Sequence, residues 1–93
     1  MKEKQLEQKF TRAVGNAGGR ALKFISPGFD GMPDRVALLP GGKIGFVEVK
    51  ATGGKPRPLQ LQRHGMLRRM GFEVFVLDDE EQIGGIICAI QSA

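Results

Sequence analysis

The sequence has no tryptophan and no tyrosine, and only one cysteine and one histidine among its 93 residues. A lone cysteine, Cys88, excludes an internal disulfide and any multi-cysteine zinc site. A lone histidine, His64, excludes a multi-histidine metal centre. Six phenylalanines are the whole aromatic content, which offers little to a base-stacking platform. No apolar run is long enough to cross a bilayer, and the charged opening "MKEKQLEQKF" lacks the apolar core of a signal peptide. The chain therefore reads as soluble, cytoplasmic and without a membrane partner. "LPGGK" and "TGGKP" lack the GxxxxGK[ST] spacing of a phosphate loop, so no nucleotide cofactor is expected.

What is present is a modest basic excess, a net charge of +4 with a pI near 9.6. In a small domain that balance suits a polyanionic partner, most often nucleic acid. The length gives one domain, residues 1–93, with a small core: a chain this short buries about 60–65% of its unfolded surface. Forming a homodimer would bury more.

Apolar residues recur at helical spacing over residues 3–16 (Leu6, Phe10, Ala13, Val14), and glycines at 15, 18 and 19 end the pattern. "RALKFIS" (20–26) is expected as a strand stopped by the turn formers of "PGFDGMP". "DRVALLP" (34–40) and "KIGFVEVKA" (43–51) read as strands joined through Pro40-Gly41-Gly42 into an antiparallel hairpin. A basic loop follows. A helix is then expected from Pro58 to Met70, with Leu59, Met66, Leu67 and Met70 on its apolar side. "FEVFVLD" (72–78) is the clearest short apolar strand. The acidic run 78–81 suits the N-terminus of a last helix that faces Ile83, Ile86, Ile87 and Ile90 inward, although Gly84-Gly85 weakens it. The order α-β-β-β-α-β-α predicts an α/β (α+β) fold with a mixed sheet flanked by helices. Cys88, among isoleucines, is expected in the core, and His64 on the surface of its helix.

The second and third strands carry three charges in an apolar setting. Alternation places Ile44, Phe46, Glu48 and Lys50 on one face and Gly45, Val47 and Val49 on the other. Both faces are apolar up to position 47, so this strand is expected at the centre of the sheet, with Glu48 and Lys50 at its exit. The hairpin brings Asp34 back to the same end. Two carboxylates aimed at one point suit Mg²⁺ or Mn²⁺, and the Val49 carbonyl can add a third oxygen. Lys50 beside such a metal can orient a water and stabilise charge growing on a phosphate. Those are the requirements of phosphodiester hydrolysis. Read singly, Glu48 and Lys50 are more simply a solvated edge pair and Asp34 a turn residue, since charged pairs are usually surface pairs. The conjunction of all three favours the site.

"GMPDRVALLPGGKIGFVEVKA" resembles the PD-(D/E)xK nuclease motif in the form carried by the VRR-NUC family. The resemblance runs through Glu7, Gly18-Gly19, Lys23-Phe24, Gly31-x-Pro33-Asp34, Glu48-Val49-Lys50, Pro58-Leu59-Gln60 and Gly71. It implies a restriction-endonuclease-like core and divalent-metal-dependent cleavage of DNA. Asp34 and Glu48 would bind metal, Lys50 would assist the attacking water, and Gln60 would support the site or touch the phosphate. Glu7 would complete the metal site, with Glu3 one turn away as an alternative and Gln62 as a rival to Gln60. Small stand-alone members, often from phages, resemble Holliday junction resolvases that act as homodimers on branched DNA. The alternatives are a monomeric flap or single-strand nuclease and a non-catalytic DNA-binding module on the same fold. Of the basic residues near the site, Lys55, Arg57 and Arg63 are the candidate phosphate contacts, and Arg68 and Arg69 lie farther along.

Overall fold

A computed structural model describes residues 1–93. Its elements run α1 (Glu3–Asn16), β1 (Arg20–Lys23), β2 (Arg35–Leu39), β3 (Lys43–Val49), α2 (Pro58–Arg69), β4 (Glu73–Leu77), a 3₁₀ turn (Glu80–Gln82) and α3 (Ile83–Ser92). The expected order is the observed one. The four strands form one sheet in the order β1-β2-β3-β4. β1–β2 and β2–β3 are antiparallel, whereas β3–β4 is parallel with α2 as the crossover. β3 is therefore an inner strand.

Helices cover both faces of the sheet, and alternation along the strands divides the core accordingly. On one side Leu6, Phe10 and Val14 of α1 pack with Ile83, Ile86, Ile87 and Ile90 of α3 over Ala37, Val47, Val49 and Leu77. On the other, Leu67 of α2 meets Phe46 and Val74, with Phe24, Met32, Val36, Met66 and Phe72 around them. Phe46 forms T-shaped pairs with Phe24 and Phe72 at centroid distances of 5.7 and 5.5 Å, a geometry that the ring quadrupole favours. α3 approaches β3 closely because position 45 is glycine. A Cβ there would stand 2.6 Å from the Ile90 side chain.

Several boundaries and faces differ from the sequence expectation. β1 ends at Lys23, not at 26. The Phe24 N–H still bonds to the Asp34 carbonyl, but Ser26-Pro27 follows, and proline has no N–H for the ladder. β3 stops at Val49, although the Lys50 N–H continues to the Leu77 carbonyl at 2.9 Å. Asp79 caps the 3₁₀ turn, its carboxylate accepting from the Glu81 N–H at 2.9 Å, so the acidic run serves that turn ahead of α3. Cys88 is exposed. The isoleucine stripe repeats at three and four residues, and position 88 falls one step off it, about 100° round the helix.

The largest departure is in α2. Leu59 and Met70 are exposed, and the residues buried on this helix are Gln60, His64 and Leu67. Spaced at i, i+4 and i+7, they form one face. That face is polar for its first two turns because it lies over Glu48.

Candidate active site

The hairpin turn at Pro40-Gly41-Gly42 sets the register of the site. Gly41 and Gly42 take φ of 86° and 73°, which glycine adopts without a Cβ clash. The ladder pairs Leu39 with Lys43 and Arg35 with Val47, and one further step places Asp34 opposite Glu48. Residues directly opposite on an antiparallel pair share a face. Asp34 is fixed there by its own carboxylate, which accepts the Val49 N–H at 2.9 Å. The loop before it is held against α2: Gly31, at φ 89°, packs so tightly that a Cβ would stand 2.8 Å from Leu59.

Glu48 is completely inaccessible to solvent and is surrounded by named partners. Gln60 Nε2 donates to Oε2 at 3.1 Å. His64 Nε2 lies 3.2 Å from Oε1. Lys50 Nζ stands 3.6 Å from Oε2. The amide of Gln60 is oriented by the helix that carries it, because its Oε1 accepts the N–H of Arg57 at the start of α2, at 2.8 Å. One side chain thus caps α2 and hydrogen-bonds the buried carboxylate.

The electrostatics follow from that burial. Desolvation, followed by the adjacent Asp34 carboxylate, raises the Glu48 pKa from 4.5 to about 8 against a smaller lowering by Lys50. Once Glu48 ionises beside Asp34, the site holds more negative charge than its own lysine neutralises. A small hard cation, which takes carboxylates, carbonyls and waters, meets that excess, so Asp34 and Glu48 fit a divalent metal. His64 is pushed below the usual imidazole range by burial, with the positive charges of Arg68 and Lys50 acting in the same direction. It is neutral near pH 7.

Asp34, Glu48, Lys50 and Gln60 are therefore brought together, with the Val49 backbone between Glu48 and Lys50. Glu7 is not among them. Its carboxylate accepts from Arg35 Nε at 3.0 Å, and no three His, Cys, Asp or Glu side chains converge anywhere in the chain as a metal-binding group. The reason is alternation. Arg35 follows Asp34 and turns to the opposite face, where α1 and Glu7 lie. Lys55 and Arg57 are exposed on the loop between β3 and α2. Arg63 is engaged otherwise: its guanidinium stacks 3.8 Å from the centre of the Phe29 ring and donates to the Asp30 carbonyl at 2.7 Å.

His64 is the site residue that sequence reasoning missed. At 1% exposure it is a core residue, not a surface one. The signal was its position four residues after Gln60, on the same helical face.

No protein-family model matches the chain. A protein of Acyrthosiphon pisum secondary endosymbiont phage 1, named "Putative nuclease p44", is 47% identical over 81 residues, which make up 87% of this chain and 87% of that protein. A solved structure described as a VRR_NUC domain has a TM-score of 0.85 at 34% sequence identity, with 91% of this chain and 92% of the other covered.

Proposed function

The chain belongs to the VRR-NUC family of nucleases, and from that premise we propose that it is a divalent-metal-dependent endodeoxyribonuclease acting on branched DNA as a homodimer. The observation that carries this reading is Glu48, a carboxylate buried at the exit of a central strand with Asp34 opposite and Lys50 beside it. A burial this costly is kept where the charge has work to do.

Asp34, Glu48 and the Val49 carbonyl would hold Mg²⁺ or Mn²⁺. When bound, the cation would supply Lewis-acid polarisation of the phosphate and a water more acidic than bulk water. Lys50 is placed to do two things: its ammonium can orient that water by donating a hydrogen bond to it, and it can neutralise charge growing on the phosphate oxygens. Glu48 tethers Lys50 at one end, which limits the ammonium's range. Gln60 holds Glu48. Lys55 and Arg57, exposed beside the site, meet the phosphates on either side of the cut. Glu7 can enter the ligand set only by giving up Arg35.

The substrate test uses labelled four-way junction, flap, single-stranded and linear duplex DNA with Mg²⁺, Mn²⁺ or EDTA. Light scattering reports the mass of the protein. Paired symmetric nicks confined to the junction, from a protein of twice the chain mass, are the expected result. Cutting of flaps or single strands by a monomer would keep the hydrolysis and overturn the junction and dimer assignments. Binding without cutting would make the chain a silent DNA-binding module.

A further inference from the structure

We propose that His64 is a positioning residue for the nuclease site: together with Gln60 it locks the plane of the Glu48 carboxylate. The inference rests on the nuclease reading given above.

The last torsion of a glutamate is broad and roughly two-fold, so one hydrogen bond leaves its carboxylate free to turn. Glu48 has two partners on two different oxygens. Gln60 Nε2 takes Oε2 at 3.1 Å, and His64 Nε2 takes Oε1 at 3.2 Å. Both come from α2, four residues apart, so they move as one body and fix the plane between them. Against an ionised Glu48, Nε2 must carry the imidazole proton and donate it. Oε1 keeps a second lone pair for the cation, while Oε2 also faces Lys50 Nζ at 3.6 Å.

The rest of the ring speaks for this role. Nδ1 is buried and has no hydrogen-bond partner, so the contact with Glu48 is the side chain's sole polar attachment. Packing alone would be served at lower cost by an apolar side chain, which leaves no polar atom unpaired. Nor is His64 a third ligand, since no three metal-binding side chains converge. Partners that hold a ligating carboxylate in this way change metal affinity or activity by about 10–100-fold when removed.

The test compares the full-length chain with His64→Leu, His64→Gln and Glu48→Ala. Junction cleavage gives kcat and KM, Mn²⁺ titration calorimetry gives metal affinity, and thermal melting reports the fold. His64→Leu should lower kcat about 10–100-fold and weaken Mn²⁺ binding, with KM for DNA unchanged. His64→Gln, whose amide Nε2 can reach the same oxygen, should restore both. Should the leucine variant not fold, His64→Asn replaces it: equally polar but one bond shorter, it should lose what leucine loses. Parental kcat and Mn²⁺ affinity in His64→Leu, beside an inactive Glu48→Ala, would overturn this inference and leave the nuclease reading standing. Equal losses in the leucine and glutamine variants would assign His64 to packing and overturn it too. A parent chain that neither cuts DNA nor binds Mn²⁺ would overturn both readings.

Discussion

Replacing Glu48 by glutamine should make the metal-free protein less sensitive to alkali, and the size of the effect can be worked from the buried carboxylate. Its pKa stands at about 8 in the fold against an ordinary 4.5. The folded state therefore holds a proton that the unfolded chain releases between those values. The stability this lends is fully present below pH 4.5 and is lost as pH rises through about 8. At about 1.4 kcal/mol for each pH unit, the interval amounts to about 5 kcal/mol, a large part of the roughly 5–15 kcal/mol that holds a small domain together. Glu48→Gln cannot ionise. Its amide can still accept from Gln60 Nε2, and a neutral His64 can move its proton to Nδ1 and accept at Nε2. The exchange costs about 1 kcal/mol, the worth of one hydrogen bond. In EDTA, urea unfolding should find the parent the more stable near pH 5 and the variant the more stable by several kcal/mol at pH 9. Adding Mg²⁺ should recover the parent at pH 9 and leave the variant unmoved, because the cation replaces the proton on Glu48. Parallel stability curves for the two proteins from pH 5 to 9 would mean that the fold holds no extra proton on Glu48.

Other substitutions test neighbouring parts of the account. Lys50→Ala should lower cleavage by about 10²–10³-fold, the usual worth of one donor aimed at developing charge, while circular dichroism and melting show an intact fold. Gly45→Ala puts a methyl group 2.6 Å from Ile90 and should destabilise the chain by about 1–3 kcal/mol. Pairing it with Ile90→Ala should recover part of that loss in a double-mutant cycle read by urea unfolding.

Much of the fold can be read from local pattern. The isoleucine stripe at 83, 86, 87 and 90 survives two adjacent glycines because all four side chains reach the core over β3 and β4. The hairpin is legible too, since Pro40-Gly41-Gly42 fixes both the turn and the register that aligns Asp34 with Glu48. What could not be read depends on the partner across the interface. In α2 the search for apolar residues selected Leu59 and Met70, which face solvent. The inward face carries Gln60 and His64, because what lies beneath it is a carboxylate and not a methyl group. Glu7 shows the same limit from the other side. The family resemblance implied that it joins the acids of the site, but a helix pattern cannot say which strand residue it meets, and Arg35 is the one at 3.0 Å. Cys88 shows that neighbours in sequence are not neighbours in a core: it adjoins a buried isoleucine and points outward.

The central claim is that Asp34, Glu48 and Lys50 form a metal-dependent phosphodiesterase. The most direct test is the rate of cleavage of a labelled four-way junction by the parent and by Glu48→Ala, each with Mn²⁺ and with EDTA. The parent should nick the junction in Mn²⁺ alone, and a folded Glu48→Ala should not nick it under either condition. Equal cleavage by the two proteins, or parental cleavage that persists in EDTA, would contradict it.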